Sequence, residues 1–440
     1  MSVTSPAMPE PPAIPASSGA SMSDNVVASM QGNGVGPTPS SQPATAGPAA
    51  MGAAMGPGGL AAVAMPGAAV AMGADEDAGA SAPPDAMMPP EAGFPFPPLE
   101  TSGEPLPGEV GEWSYVELPD TSCRDGSPAG VYINLGSSNK LMIVLEGGGR
   151  CSDEATCSLN FANVEAGTPV RLFGHEGLTD RSRVENPVRD WNWVQVPYCT
   201  GDRHGGANPE ARVPGVDEPQ MFVGHTNMAK FLDRIVPTFA DATDVLITGT
   251  SAGGHGVWYT AVLVQRAFPG LKVKLVSDSG AFVSTAVFAE CDQERMRVLG
   301  KTDDTFLGEC GSACPNGNDY WMDFGKFLAA TFADRPIGLV TTTGDITMRQ
   351  FYSTGVNDCK GSFDLLNPDP AITAAAHKED LLAFKDMIEG YPNFSTFYVD
   401  NETHTYLMWP EFYTITAGGV RLLDWFTQIV NGESPGHAGP

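Results

Sequence analysis

The segment Gly249–Gly253, with the sequence Gly-Thr-Ser-Ala-Gly, sets a serine among small residues. It follows the apolar run Asp244–Thr248 and opens a helical pattern that includes Val257 and Ala261. A sharp turn from a strand into a helix exposes a serine hydroxyl, and only small neighbours permit so tight a turn. The pattern predicts that Ser251 is a nucleophile, and the alternative is a plain structural turn.

A serine hydroxyl needs a general base before it can attack, and histidine is the usual one. His404 lies just past the strand-like run Phe394–Val399, so it can reach the sheet edge from which Ser251 projects. In α/β-hydrolases the order along the chain is serine, acid, histidine, and His404 fits that order. His255 lies one helical turn after Ser251, and His377 lies in a polar helical stretch. We therefore expect His404 to be the base.

The acid that orients the histidine should follow a strand between the serine and the histidine. Asp345 comes directly after the apolar run Ile337–Thr342. A carboxylate there would hold the imidazole in one orientation and stabilise its charged form. Asp278 also ends a strand but comes earlier, and Asp400 is only four residues from His404. Asp345 is the predicted acid, with a helix-capping role as the alternative.

Three consecutive glycines, Gly147–Gly149, follow the apolar run Leu141–Leu145. Glycines let backbone N–H groups approach a ligand oxygen closely. Together with the N–H of Ala252, those of Gly148 and Gly149 would form an oxyanion hole for a tetrahedral intermediate. A phosphate-binding loop is the other reading, but the chain lacks the G-x-x-x-x-G-K-[ST] pattern.

The elements that position these residues are short apolar runs separated by amphipathic stretches. The runs lie at residues 141–145, 193–196, 244–248, 272–276, 337–342 and 394–399. Near-continuous apolar runs are typical of strands buried on both faces. Helical spacing recurs at residues 228–236 and 422–430. The chain is therefore predicted to be an α/β protein of α/β-hydrolase type, with a mostly parallel sheet and helices on both faces.

Charge and proline are unevenly distributed over the 440 residues. Residues 1–110 hold 20 of the 38 Pro and ten acidic residues, but no Lys or Arg. They predict a disordered linker before a folded domain at 111–433, and residues 434–440 are predicted to be a flexible C-terminus. The net charge of −28 counts against nucleic-acid binding. Gly and Pro interrupt every long apolar stretch, so we expect no membrane span.

All eight Cys fall in the predicted folded part, and an even number fits four disulfides. The pair Cys151 and Cys157 is the easiest to join, whereas Cys310 and Cys314 leave a metal site as an alternative. Disulfides favour export to the outside, the cell surface or the periplasm. No basic residue precedes Arg124, so no export signal is visible. Either the protein is cytosolic or the true start lies upstream.

With these motifs in view, the chain resembles the pectin acetylesterase family, which includes the Notum-like serine carboxylesterases. The matching segments are Cys123–Tyr132, Leu145–Cys151, Asn186-Pro187, Asp190–Asn192, Val196–Asp202 and Gly249–Gly254. The resemblance covers roughly residues 112–430. It implies a secreted, disulfide-linked carboxylesterase whose triad falls on Ser251, Asp345 and His404. It also places the family's oxyanion glycine at Gly148, beside Ala252.

The chain departs from the family at two places near the expected site. Notum-like members have a lipid-pocket Trp where this chain has Gly149, which counts against a palmitoleate-type substrate. The loop Thr200–Gly206 differs from that of plant members, and we hypothesise that its Arg203 and His204 contact substrate.

The function expected from these observations is hydrolysis of an O-acyl ester, in the first instance O-acetyl, on a carbohydrate. The family's chemistry needs no metal or organic cofactor, and we expect a monomer. Two alternatives stay open: an esterase of lipid or thioester substrates, and a catalytically silent surface protein that binds its ligand.

Overall fold

The computed structural model describes residues 94–164, 176–315 and 320–440. Within these residues the strands are β1 Ser114–Leu118, β2 Ala129–Asn134, β3 Lys140–Leu145, β4 Asn192–Val196, β5 Asn208–Ala211, β6 Gln220–Phe222, β7 Asp244–Thr250, β8 Lys274–Asp278, β9 Ile337–Thr342, β10 Phe394–Val399, β11 Thr416–Ala417 and β12 Val420–Arg421. The α-helices of five or more residues are α1 Glu154–Ser158, α2 Gly224–Thr238, α3 Ala252–Ala267, α4 Glu290–Gly300, α5 Phe306–Cys310, α6 Tyr320–Thr331, α7 Ile346–Tyr352, α8 Ala374–Met387 and α9 Leu422–Val430.

The described residues form a central eight-stranded sheet in the order β1-β2-β4-β3-β7-β8-β9-β10. All pairs from β4 to β10 are parallel, whereas β2 pairs antiparallel with both β1 and β4. The six predicted strands are β3, β4, β7, β8, β9 and β10, so the mostly parallel α/β fold is confirmed. The antiparallel strands β1 and β2 were not predicted. The carboxyl ends of β3, β7 and β9 lie at the same end of the sheet, where the loops that follow these strands can meet.

Each face of the sheet is covered by its own apolar core. Alternate residues of β3 show this, because Leu141 and Ile143 join one core while Met142 and Val144 join the other. The first core includes residues of α2, α3 and α6, and the second includes α9. Near-continuous apolar strands follow from this two-sided burial.

Residues 94–110 differ from the prediction of a linker that reaches residue 110. Phe94, Phe96 and Leu99 pack against the first core, and Leu106 is buried in it. The backbone N–H of Leu106 also donates to Thr238 Oγ1 (2.7 Å). A few buried apolar side chains and backbone hydrogen bonds are enough to order this proline-rich segment, although its average composition resembles that of a linker. We call residues 94–110 the strap. The part of this prediction that falls on residues 1–93 lies outside the described residues.

The C-terminal residues 434–440, predicted to be flexible, instead extend the sheet. Ala438 exchanges backbone hydrogen bonds with β10: its carbonyl accepts from Tyr398 N (2.9 Å) and its N–H donates to Thr396 O (2.8 Å). The His437 ring lies 2.9 Å from Thr396 Oγ1. The physical reason is that β10 is an edge strand, whose unpaired backbone groups attract a further segment.

All eight Cys are paired in four disulfides, as predicted. The pairs are Cys123–Cys199, Cys151–Cys157, Cys291–Cys359 and Cys310–Cys314. The last of these answers the question of a metal site at Cys310 and Cys314, because both thiols are used in the disulfide. In the described part of the chain, every helix is too short or too polar to cross a bilayer.

Candidate active site

Ser251 lies at the junction of β7 and α3, with φ of +57° and ψ of −119°. Positive φ is costly for a residue with a side chain, and it is typical of a strained turn that exposes a hydroxyl. The neighbours must be small: a Cβ on Gly249 would lie 2.5 Å from Gly253 O, and one on Gly253 would lie 2.0 Å from Leu145 O. The backbone N–H of Ser251 donates to Asp278 O (2.7 Å).

His404 and Asp345 are in direct contact. The ring nitrogen Nδ1 of His404 lies 2.8 Å from Asp345 Oδ2 and 2.9 Å from Oδ1. Asp345 follows β9 and caps α7, where its Oδ1 accepts from Met348 N (3.0 Å). Both side chains are almost completely buried. The contact fixes the tautomer, since a proton on Nδ1 donates to the carboxylate and leaves Nε2 free to accept.

The contact shifts the pKa values of both groups. Burial disfavours the charged form of both His404 and Asp345, but the attraction between their opposite charges is stronger than this effect of burial. The pKa of His404 is therefore raised, because the Asp345 carboxylate favours the imidazolium. The pKa of Asp345 is lowered by His404 and by the Met348 N–H. Around neutral pH the carboxylate is ionised and can stabilise a proton arriving on the ring.

Ser251 and His404 line one small cavity of about 30 Å³. Its lining also includes Gly147, Gly148, Thr250, Thr405, Met408 and Trp409. The structure therefore brings together at one cavity the serine after β7, the histidine after β10 and the glycines after β3. Asp345 lies directly behind the histidine.

The glycine loop lies against the serine. A Cβ on Gly147 would be 3.1 Å from the Cβ of Ser251. Gly148 and Gly149 have φ of +148° and +77°, values that favour glycine. Asn160 Nδ2 donates to the carbonyl oxygen of Gly148 (2.7 Å). Because a trans peptide holds C=O and N–H in opposite directions, this bond also fixes where the Gly149 N–H points.

Ala252 would contribute the third backbone N–H of the predicted oxyanion hole. It is the first residue of α3, and N–H groups of a first helical turn have no acceptor within the helix. The positive end of the helix dipole lies at the same place. The three N–H groups predicted from sequence thus come from two segments that are in contact, one after β3 and one after β7.

Arg150, the next residue after the glycines, anchors the glycine loop through buried hydrogen bonds. The sequence analysis did not predict this role. Its Nη2 donates to Asp292 Oδ2 (2.6 Å), Thr354 Oγ1 (2.6 Å) and Phe351 O (3.1 Å). Arg150 and Asp292 are almost completely buried. Cys151 is then fixed by its disulfide to Cys157. An arginine inside a glycine-rich motif was the only signal, and the sequence does not show its partner.

The two other histidines considered as the base, His255 and His377, bind backbone carbonyl oxygens. His255 donates from Nδ1 to Ser251 O (3.1 Å) and stacks on Trp321. Burial lowers the pKa of His255 well below its usual range, so this ring stays neutral. His377 contacts Thr343 O through Nδ1 (2.9 Å). Neither ring contacts an aspartate by hydrogen bond among the described residues.

The two alternative acids also have other partners. Asp400 accepts from Thr343 Oγ1 (2.6 Å) and from Lys378 (2.8 Å). Asp278 accepts from the backbone of Tyr406 and Leu407. The carboxylate on the His404 ring is therefore that of Asp345.

Arg203 and His204, hypothesised to contact substrate, are both buried. His204 Nε2 lies 2.9 Å from the carbonyl oxygen of Glu146, directly before the glycine loop. The guanidinium of Arg203 lies over the rings of Tyr259 and Phe288, 5.5 Å from each centroid. Both side chains thus contact protein groups, and His204 lies against the residue that precedes the glycine loop.

Comparison with known proteins matches part of the chain to a family. The family model described as pectinacetylesterase matches residues 114–298. The chain is 30% identical to palmitoleoyl-protein carboxylesterase notum1 of Xenopus laevis over 218 residues, which are 46% of this chain and 41% of the relative. It is 28% identical to pectin acetylesterase 11 of Arabidopsis thaliana over 175 residues, 37% of this chain and 42% of the relative. The chain thus spans about two fifths of the length of these relatives.

Among solved structures, the Wnt deacylase Notum from Drosophila shares the fold. The match has a TM-score of 0.53 and 20% sequence identity, and it covers 73% of this chain and 94% of the other. At this identity the likeness concerns the fold alone. The predicted resemblance is therefore confirmed: residues 114–298 match the pectinacetylesterase family, on a fold shared with Notum.

Proposed function

We propose that the protein is a serine carboxylesterase that removes an acetyl group from a hydroxyl of a carbohydrate. One observation carries the proposal: His404 is held by Asp345 through Nδ1 and lines the same cavity as Ser251. This is the arrangement that lets an imidazole take a proton from a serine hydroxyl. The names of the relatives, carboxylesterase and pectin acetylesterase, support hydrolysis of carboxylic esters.

In the proposed reaction, Ser251 Oγ attacks the ester carbonyl carbon while His404 Nε2 accepts the serine proton. The carbonyl oxygen becomes an oxyanion, which the N–H groups of Gly148, Gly149 and Ala252 stabilise. The C–O bond to the sugar then breaks, and His404 gives its proton to the leaving alcohol oxygen. A water molecule then attacks the acyl-enzyme and loses its proton to His404. The bond between the acyl carbon and Ser251 Oγ breaks, His404 returns the proton to Ser251 Oγ, and acetate is released. Asp345 orients the ring and stabilises its charged form throughout.

A short acyl group is supported by the space beside the glycine loop. A Cβ on Gly149 would lie 2.8 Å from Phe351 Cζ, so the ring of Phe351 fills the position next to this glycine. Phe351 in turn packs on Phe363, with ring centroids 4.4 Å apart. Notum-like members have the lipid-pocket Trp at the position of Gly149. The aromatic surface here closes the space instead of extending it, which fits acetyl better than a long chain.

The charge of the folded part supports a neutral glycan. Residues 111–440 carry a net charge of −18, which repels polyanions at low ionic strength. We therefore propose an acetylated glycan without a high density of free carboxylates. The four disulfides support a place of action outside the reducing cytosol.

The test is acetate release from p-nitrophenyl acetate and from a panel of acetylated polysaccharides. Ser251→Ala should abolish turnover and fluorophosphonate labelling, whereas Ser138→Ala should retain both. Ser138 is a suitable control because it precedes β3. It therefore lies at the amino ends of the parallel strands, and the candidate site lies at their carboxyl ends. Substantial turnover in folded Ser251→Ala would refute the assignment. A wild-type protein that neither turns over nor labels would favour the silent binding protein.

A further inference from the structure

Asp278 ends β8, between the strand that carries Ser251 and the strand that leads to Asp345. Its side chain is fully buried. One carboxylate oxygen, Oδ2, accepts two backbone hydrogen bonds, from Tyr406 N (2.6 Å) and Leu407 N (2.7 Å). These amides lie two and three residues after His404. The carboxylate therefore binds the loop that carries the histidine, and not the ring itself.

The backbone of the same residue binds the other half of the site. The carbonyl oxygen of Asp278 accepts from Ser251 N (2.7 Å), at the turn between β7 and α3. A Cβ on Gly254, in the first turn of α3, would lie 2.5 Å from this oxygen. One residue thus contacts the serine turn through its main chain and the histidine loop through its side chain.

The histidine loop needs such support because its backbone is strained. Thr405, the residue after His404, has φ of +65°. This conformation is unfavourable for a β-branched residue and persists only where the surroundings hold it. The two amides bound by Asp278 directly follow Thr405. Hydrogen bonds from N–H groups to a carboxylate are stronger than those to a neutral acceptor, so they can hold the turn.

We propose that Asp278 is a positioning residue that fixes His404 relative to Ser251. The inference rests on the proposed function, in which these two residues exchange a proton. Asp345 fixes the rotation of the imidazole ring, and Asp278 fixes the backbone segment that carries the His404 side chain. The side chain of Asp278 touches neither the ring by hydrogen bond nor, in this proposal, the substrate.

The test compares four variants of the full chain with p-nitrophenyl acetate, with folding checked by thermal unfolding. In Asp278→Ala both acceptors are lost, so we expect kcat to fall by about 100-fold, the effect of a shift of about 1 Å, while KM stays near the wild-type value. Asp278→Asn keeps an oxygen that can accept both bonds and should restore kcat to within about tenfold. Asp278→Ser, whose shorter side chain reaches at most one amide, should lie between Asn and Ala.

The matched control is Asp233→Ala. Asp233 Oδ1 also accepts two successive backbone N–H groups, from Ser102 (2.7 Å) and Gly103 (3.2 Å), but on the strap along α2. Its loss should leave kcat unchanged. The proposal is overturned if Asp278→Ala keeps the kcat of this control, if only KM changes, or if Asn is as slow as Ala. Should Asp278→Ala not fold, equal kcat in the Ser and Asn variants would overturn it.

These outcomes are separate from failure of the proposed function itself. If Ser251→Ala is as active as wild type, the reaction does not use the serine, and the proposed function fails regardless of Asp278. If Ser251→Ala is inactive and Asp278→Ala is fully active, the function stands and the role of Asp278 is wrong.

Discussion

The side-chain amide of Asn160 donates a hydrogen bond to the carbonyl oxygen of Gly148, at 2.7 Å. Asn160 belongs to the segment after α1 and is buried. Its bond sets the plane of the peptide between Gly148 and Gly149, and with it the direction of the Gly149 N–H. A side chain outside the expected oxyanion hole thus controls one of its donors.

The first prediction follows from this bond. Asn160→Asp replaces the donor with a carboxylate that repels the Gly148 carbonyl, so the peptide should rotate and the Gly149 N–H should leave the site. Because loss of one oxyanion donor costs about 10²–10³ in kcat, we expect a fall of about 10²-fold with little change in KM. Steady-state kinetics with p-nitrophenyl acetate measure it.

The control for this change lies in the same segment. Asn163 Nδ2 donates to the carboxylate of Asp125 (3.1 Å) instead of to the glycine loop. Asn163→Asp places the same new charge three residues away and should leave kcat near the wild-type value. Equal losses in both variants would show that added charge, and not the orientation of the peptide, is responsible.

The second prediction concerns pH. The base must be neutral to take a proton, and Asp345 raises the pKa of His404 above its usual 6.5. The value of kcat/KM should therefore rise with pH, with its midpoint above 6.5. Asp345→Asn removes the charge that favours the imidazolium, so the midpoint should move to lower pH. By analogy with the loss of a triad aspartate, kcat should fall by about 10⁴.

The matched variant is Asp400→Asn, which removes a carboxylate near the same loop. Asp400 is bound by Thr343 and Lys378, not by the histidine ring. Its pH profile should coincide with that of the wild type. A shift of the midpoint in Asp400→Asn but not in Asp345→Asn would reverse the assignment of the acid.

The third prediction concerns the buried ion pair between Arg150 and Asp292, whose nitrogen and oxygen are 2.6 Å apart. Removal of Arg150 leaves the buried carboxylate of Asp292 with only a longer ion pair, to Arg295 Nη1 at 3.8 Å. Arg150→Met should therefore lower the free energy of unfolding by about 3–5 kcal/mol, measured by urea denaturation. Since Arg150 anchors the glycine loop, kcat should fall as well.

A surface ion pair of similar length provides the comparison. Arg297 Nε lies 2.8 Å from Asp303 Oδ1, but Asp303 is largely exposed. Arg297→Ala should cost less than about 1 kcal/mol, because water screens such pairs. In the double variant Arg150→Met/Asp292→Leu neither charge of the pair is left, and much of the lost stability should return. No recovery in the double variant would contradict the ion-pair explanation.

The sequence allowed the framework of the site to be predicted because its signals are local. The strand before Ser251, the small residues around it and the chain order of Asp345 and His404 each follow from a few neighbouring residues. The parallel order of β3, β7 and β9 then brings these strand ends to one edge. For this reason the pairing of His404 with Asp345 could be anticipated, although 59 residues separate them.

The residues that hold the framework could not be predicted, because their partners are distant and chemically ordinary. Arg150 and Asp292 are 142 residues apart, and nothing in either segment indicates the other. Asp278 was weighed only as a possible acid, since the sequence does not show which backbone amides face it. The strap that begins at Phe94 and the bridge at Ala438 were missed for another reason: average composition does not reveal a few anchoring contacts.

The last prediction concerns the length of the acyl chain. The ring of Phe351 fills the space beside Gly149 and is itself buried. In Phe351→Ala this space opens next to the expected oxyanion hole, so longer acyl groups should fit better. We expect the ratio of kcat/KM for p-nitrophenyl octanoate to that for the acetate to rise by about tenfold or more, since each buried CH₂ contributes about 0.8 kcal/mol.

Phe332→Ala is the control for this prediction, because Phe332 is a buried phenylalanine that precedes β9, at the end of the sheet opposite the site. Both variants should lose about 3–5 kcal/mol of stability, but only Phe351→Ala should change the ratio. A wild-type enzyme that already prefers octanoate would contradict the acetyl assignment and favour a lipid ester.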